Sequence, residues 1–427
     1  LDATMTEILL LSTLAMLLLG MPVAICLGAS SLLVIILQGM PSQIAVQRFF
    51  AGVDVLPLMA IPFFILAGNL MDSGGLAKRL VSLANVFVGR VSGGLGIVTI
   101  MGCVFFAAIS GSGVATAAAM GAIMIPSMVK RGYDRGFASA VVASASPIGV
   151  VIPPSISFII YAVLTSSSVT DLYQAGIPAG MIMGLCLVVV VLTISKKQGY
   201  KGDDHPFSWS EALHAFKDAS WALGTPVILI GGVFGGIFTP TESAVVAVVY
   251  ALLIGLFAYR ELKWTDLYRV FLDSAKMTSK IMLIISMALC FAYLLTYNQV
   301  PQAVMEMFLS FSENKYVVLM IINLLLLVAG TFMETSAILL ITVPILLPVL
   351  QKFNIDLVHF GIIISANTAI GLMTPPFGVC LFTTSSIGQT SIQELSRRVI
   401  PFIGALIVAM AIITYIPQSV MFMVDLW

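Results

Sequence analysis

Long apolar runs alternate with short polar ones along the whole chain, and their length predicts helices rather than strands. The first run, Ile8 to Leu37, is interrupted by Gly20-Met21-Pro22. Proline favours the first turn of a helix, so two helices are expected, roughly 6–20 and 22–38. A loop carrying Arg48 and Asp54 leads to a helix from about Leu56 to Met71, closed by Asp72-Ser73-Gly74-Gly75. Residues 76–92 set Lys78, Arg79 and Arg90 among apolar positions such as Leu80, Val81 and Val86. That pattern suits an amphipathic arm lying on a membrane surface.

Residues 94–129 are apolar but split by Ser110-Gly111-Ser112-Gly113. Each half has about 15 residues, which at ~1.5 Å per residue is short for a ~30 Å hydrocarbon core. A re-entrant hairpin is expected. Lys130, Arg131 and Arg135 form a basic loop after it. The run 137–165 is long enough to cross but holds Pro147, Gly149, Pro153 and Pro154. It reads as a discontinuous helix, whose unwound backbone a membrane tolerates only where it lines protein or a cavity.

A loop over 166–177 and a helix over 178–195 complete a first half, residues 1–195. The polar stretch 196–220, with Lys196, Lys197, Lys201 and Lys217, reads as a connector. In the second half, 221–427, two helices split at Thr239-Pro240 precede a second basic arm over 261–280 and a helix over 281–297. A second hairpin is expected over 317–350, broken at Met333-Glu334-Thr335-Ser336, and a second broken helix over 359–386. A last helix covers about 400–424.

The halves repeat. Subtracting 222 maps Ile345, Pro348, Lys352 and Asp356 onto Ile123, Pro126, Lys130 and Asp134, and Gly371 and Pro375-Pro376 onto Gly149 and Pro153-Pro154. Charge orients them. The loop after the first hairpin has Lys130, Arg131 and Arg135, whereas its mate has only Lys352, so the first is expected in the cytoplasm and the second outside. The basic segments 78–90, 130–135, 196–217, 260–280 and 397–398 all fit the cytoplasmic side. The halves are therefore read as inverted, with the N-terminus outside.

Composition agrees with a membrane protein: 59% of the 427 residues are hydrophobic and 9% charged, against about 25% charged in soluble domains. The expected class is an all-α polytopic membrane protein. Twenty basic and twenty acidic residues balance, which gives no reason to expect nucleic acid as a partner. Cys26, Cys103, Cys186, Cys290 and Cys380 lie singly in apolar runs and read as packing residues. His205, His214 and His359 make no H-E-x-x-H pattern, and no P-loop occurs. With no nucleophile–base pair in the apolar segments, the chain is not read as an enzyme. Any energy for transport must come from an ion gradient or another chain.

Inverted repeats with broken helices meeting near the midplane are the plan of secondary transporters. Half-helix N-termini offer N–H groups to anions. Unwound carbonyls and hydroxyls offer hard oxygens suited to Na+. An ion-coupled carrier of a small anionic solute is expected.

Gly235-Gly236-Ile237-Phe238-Thr239-Pro240-Thr241-Glu242-Ser243-Ala244 resembles a signature of the large membrane subunit of TRAP (tripartite ATP-independent periplasmic) transporters. Ala67-Gly68-Asn69-Leu70-Met71, Ile152-Pro153-Pro154-Ser155 and Gly371-Leu372-Met373-Thr374-Pro375-Pro376-Phe377-Gly378 are similar to that family too, in its order and over nearly the entire chain. The resemblance implies a multi-pass protein of the bacterial inner membrane, working with a small four-helix subunit and a soluble periplasmic substrate-binding protein. It implies import of organic acids, C4-dicarboxylates and sialic acid among them, with Na+ and elevator-type movement in a lipid bilayer. The small subunit is expected as a separate polypeptide. A stand-alone anion transporter needing no binding protein is the alternative.

Site residues follow from the interruptions. One Na+ site is expected from Ser110 and the carbonyls of Gly149, Ile152 and Pro154, and its mate from Thr335 with Gly371, Thr374 and Pro376. Carbonyls should dominate, because prolines leave upstream acceptors unpaired. Ser112, Ser155, Ser157 and Glu334 are the substrate-facing candidates. Glu334 has two readings: an intramembrane acid that meets substrate hydroxyls or an amine, or a cap on the helix starting at Thr335. Thr239-Pro240-Thr241-Glu242 reads as a capping box, and Asn69, Asn323 and Asn367 as interhelical hydrogen-bonding groups.

Overall fold

The computed structural model describes residues 2–202 and 208–426, and all regular structure there is helical. His205 lies outside the described residues. The chain opens with α1 (Asp2–Leu18) and α2 (Val23–Leu37). Between them Gly20 turns at φ 76° and Pro22 precedes the second helix. The short α3 (Gln43–Ala51) follows, then a 3-10 turn (Leu56–Met59) that runs into α4 (Ala60–Ser73). Gly75, at φ 74°, reverses the chain into the amphipathic α5 (Leu76–Val88).

The first hairpin is α6 (Gly94–Ser110) and α7 (Gly113–Lys130). The first broken helix is α8 (Arg135–Ala145), a 3-10 turn over Ser146–Val150, and α9 (Ile156–Thr165). The 30-residue α10 (Val169–Gln198) closes the half. The second half runs through α11 (Trp209–Pro226), α12 (Gly232–Phe234), α13 (Pro240–Leu253), α14 (Trp264–Tyr297) and α15 (Val300–Phe311). Its hairpin is α16 (Lys315–Phe332) and α17 (Thr335–Lys352), its broken helix α18 (Leu357–Gly371) and α19 (Val379–Gly388), and its end α20 (Ile392–Tyr415) and α21 (Gln418–Asp425). Among the described residues, eight helices are long and apolar enough to cross a membrane.

Four expectations change. Residues 261–280 form no separate surface arm: α14 is one 34-residue helix that carries this stretch into the apolar segment after it. No glycine or proline lies between Trp264 and Tyr297 to end it. The connector 196–220 is mostly helix too, since α10 reaches Gln198 and Ser208 caps α11. Ser168 caps α10 far earlier than the expected start near 178. The loop expected around Arg48 is a short helix, α3, and α15 fills the stretch between the expected helix over 281–297 and the second hairpin.

Element ends repeat at the offset of 222: α6 and α16 end at Ser110 and Phe332, and α7 and α17 span Gly113–Lys130 and Thr335–Lys352. After the proline pairs the offset becomes 223, because Phe377 is inserted; Ser168 and Ser391 then cap α10 and α20. The halves interlock. α7 packs on α19 and α17 on α9; α8 packs on α20 and α18 on α10. Every residue of Gly136–Ala145 and of His359–Gly371 is buried, so α8 and α18 are the core that a helix apolar all round must be. The hairpins differ: α7 packs closely on α6 and α8, whereas α17 lies mainly against α9, α14 and α15.

Candidate functional site

At the tip of the first hairpin, Gly111 ends α6 at φ 59°, its N–H donating to Ala107 O at 3.0 Å. A Cβ on Gly111 would stand 2.5 Å from the Pro154 carbonyl oxygen, so glycine lets the tip close on the broken helix. Ser112 is extended and caps α7, accepting from Ala115 N at 3.4 Å. Ser110 Oγ lies 3.1 Å from Thr116 Oγ1, which donates to Ser112 O at 2.8 Å. A Cβ on Gly149 would meet Thr116 Oγ1 at 3.1 Å and Ser112 O at 3.3 Å. The structure therefore brings Ser110, Gly149 and Pro154 together, and adds Thr116 and the Ser112 carbonyl, which sequence reasoning missed. Thr116 had a signal: it sits one helical turn after Ser112, on the same face.

Prolines release the carbonyls here. The helical partner of Gly149 O would be the N–H of Pro153, and that of Val150 O the N–H of Pro154; neither exists. Ser155 Oγ answers the second loss, donating to Val150 O at 2.5 Å, and also caps α9 by accepting from Phe158 N. Ser155 is 0% exposed. Its hydroxyl is committed within the broken helix, and that corrects its place among substrate-facing residues. Ile152 donates its N–H to Ile148 O at 3.0 Å, and the carbonyls of Ile152 and Pro154 accept no hydrogen bond among the described residues.

The second half is not a copy. Glu334 precedes α17 in extended conformation, but its side chain makes no cap hydrogen bond, so capping is not its role in this geometry. Thr335 is 3% exposed, and its Oγ1 is buried with no hydrogen-bond partner among the described residues. Gly371 instead crosses Gly330, where a Cβ would come within 2.4 Å of the Gly330 Cα. Thr374 Oγ1 donates to Ile370 O at 2.7 Å, and Thr374 N to Gly371 O at 2.9 Å. Pro376 is exposed beside Phe377, whose ring meets Phe332 at 5.4 Å. No hydrogen bond among the described residues joins Thr335 to Gly371, Thr374 or Pro376. Here α17 packs mainly on α9, α14 and α15 and only lightly on α16 and α18.

A cavity of about 30 Å3 separates the two tips, lined by Gly111, Ser112, Ser157, Glu334, Thr335 and Ser336, with Met277 and Ile281 of α14. Three of the four substrate-facing candidates meet there. On the far side of the first tip, a cavity of about 180 Å3 is lined by Ser110 and Ser112 together with Asn69 and Asp72 of α4. Asn69 Nδ2 donates to Ser274 Oγ at 2.8 Å, tying α4 to α14. Asn367 Nδ2 donates to Asn323 O at 2.9 Å, and Asn323 Nδ2 to Thr414 Oγ1 at 3.1 Å, tying α16, α18 and α20. Thr239 and Glu242 form the reciprocal capping box at the start of α13.

Residues 10–419 match the family model described as tripartite ATP-independent periplasmic transporter, DctM component. The chain is 44% identical over 404 residues to the isethionate TRAP transporter permease protein DctMQ of Oleidesulfovibrio alaskensis. That match covers 94% of this chain but 64% of the relative's length. It is 40% identical to the C4-dicarboxylate TRAP transporter large permease protein DctM of Pseudomonas aeruginosa, covering 92% of each. It is 36% identical to the sialic acid TRAP transporter large permease protein SiaM of Vibrio cholerae, covering 96% of each. In structure it is similar to the Alcanivorax borkumensis YdaH transporter, with TM-score 0.64 at 13% identity over 87% of this chain and 86% of that one, a likeness of fold. By family and by its membrane-crossing helices, this chain belongs to the DctM family, the large inner-membrane subunit of TRAP transporters.

Proposed function

We propose that this chain is the permease subunit of a Na+-coupled, binding-protein-dependent importer of a small organic acid. The observation that carries the reading is the oxygen cluster where the first hairpin meets the broken helix. Ser110 Oγ, Thr116 Oγ1 and the Ser112 carbonyl converge on Gly149, beside the carbonyl of Pro154. Hard neutral oxygens without a carboxylate suit a monovalent cation that must bind and leave. The cation would lock the tip of α7 onto the broken helix. Thr335, Gly371, Thr374 and Pro376 would gather as the mate site when α17 closes on α18.

The solute would bind between the tips once they part, since the cavity of about 30 Å3 there is too small for an organic acid as it stands. The N-termini of α7 and α17 open there and favour negative charge. Ser112 and Ser157 offer hydroxyls, and Glu334 would accept from solute hydroxyls or an amine. The relatives are named for isethionate, a C4-dicarboxylate and sialic acid, all anionic. In elevator-type alternating access, the hairpins and broken helices would move together against α4, α13 and α14. The small four-helix subunit would extend that scaffold, and a periplasmic binding protein would deliver the solute.

Uptake into proteoliposomes, with and without both partner subunits, tests the assignment. Uptake should require both partners and an inward Na+ gradient, and Ser110→Ala and Thr374→Val should shift the Na+ titration. Uptake by this chain alone would favour a stand-alone carrier, and an unchanged Na+ dependence in both variants would remove the cation sites.

A further inference from the structure

Away from the tips, a cavity of about 480 Å3 lies between α5 and the two limbs of the first hairpin. One stripe of α5 faces it, Lys78, Ser82 and Asn85 at helical spacing. From α7 come Ser127, Lys130 and Arg131, over an apolar floor that includes Ile123 and Met124. Lys78, Lys130 and Arg131 bring positive charge to it, and among the described residues no carboxylate lines it. Lys78 and Lys130 form no ion pair among the described residues, whereas the neighbouring Arg79 pairs with Glu261 at 2.7 Å and Asp218 at 3.4 Å. Acid is thus at hand for α5, but on its other face.

The internal repeat supplies a control. A cavity of about 270 Å3 between α15, α16 and α17 overlaps the equivalent place. At the offset of 222 its floor is kept: Ile345 and Leu346 stand for Ile123 and Met124. Its polar stripe is not. Val304 and Met307 replace Ser82 and Asn85, Val300 replaces Lys78, and Phe353 replaces Arg131, while Lys352 keeps the charge of Lys130. What differs is a cationic rim over an apolar floor, on the side that the basic loops assign to the cytoplasm.

We propose that the α5–hairpin cavity binds one anionic phospholipid of the cytoplasmic leaflet, its phosphate between Lys78 and Lys130 and an acyl chain on the Ile123–Met124 floor. Basic pockets between helices on that side hold anionic headgroups, and the apolar floor calls for an amphiphile rather than a free ion. Because α5 also packs on α11, the lipid would sit where the hairpin meets the surrounding helices.

The test is native mass spectrometry of the full-length protein exchanged into dioleoyl-phosphatidylglycerol or dioleoyl-phosphatidylcholine. The protein should retain phosphatidylglycerol through washes that strip phosphatidylcholine. Retention should fall by about tenfold or more in Lys130→Gln/Arg131→Gln, and likewise in Lys78→Val/Ser82→Val/Asn85→Met, which installs the mate cavity's residues. Lys78→Arg/Lys130→Arg should keep it, and so should Lys196→Gln/Lys197→Gln outside the cavity. Equal retention of the two lipids, or equal loss in the Lys196/Lys197 control, would overturn the proposal. So would inorganic phosphate alone raising the melting temperature as much as phosphatidylglycerol does, which would make this a site for a free anion.

Discussion

Two glycines decide whether the first hairpin can close. Alanine at Gly149 puts a methyl 3.1 Å from Thr116 Oγ1 and 3.3 Å from Ser112 O, so these atoms must give by a few tenths of an ångström. The protein should fold normally, and the half-saturating Na+ concentration of uptake should rise several-fold. Alanine at Gly111 faces both a left-handed backbone and the Pro154 oxygen at 2.5 Å. The backbone alone costs about 1–2 kcal/mol, so Gly111→Ala should lower the melting temperature as well as uptake. The serines of α9 separate in the opposite way. Ser155→Ala strands a buried acceptor on Val150, a loss of about 1–3 kcal/mol that thermal denaturation would show. Ser157→Ala, at the cavity wall, should leave the melting temperature unchanged and raise the KM for solute. A sequence cannot distinguish these two serines, because what separates them is a hydroxyl's distance to a carbonyl five residues back.

At the level of elements, the halves differ most in how they reach the core. The first breaks its chain between α3 and α4, where Gly52 and Pro57 stand; the second has Ser274 and Ser279 there and continues as α14. Ser279→Pro should restore the break. Proline inside a helix costs about 3 kcal/mol or more, so the variant should melt earlier and lose uptake, while Ser279→Ala should do neither. Both hairpin tips and both broken helices were legible in the sequence, since glycine, serine and proline mark them without reference to any partner. Helix α14 was misread because Arg269, Lys276 and Lys280 imitate a surface arm; they lie on its exposed side, and side is a property of packing. Short amphipathic helices such as α3 and α15 carry too few turns to stand out from polar loops. The different packing of α7 and α17 was illegible for a further reason: it depends on where α17 rests, and the 222-residue repeat predicts two equal hairpins.

In the whole molecule, each hairpin's second limb lies on the outer segment of the other half's broken helix, α7 on α19 and α17 on α9. A two-fold axis relates such contacts, and inverted halves require that axis to lie in the membrane plane, so that the tips meet from opposite faces. Repeats of the same orientation would instead point both hairpins in from one side. Lys130 and Lys352 are exact repeat mates at the ends of α7 and α17, and both are exposed. They therefore report the orientation of each half directly. Cys26, Cys103, Cys290 and Cys380 are buried and Cys186 is half-buried, so a Cys186→Ser background leaves little competing thiol. In that background, a membrane-impermeant maleimide should label Lys352→Cys in spheroplasts and Lys130→Cys only after permeabilisation. Labelling of both from the same side would show that the halves are parallel. The tips could not then meet at one cavity from opposite faces, and alternating access around Ser112 and Glu334 would have no structural basis.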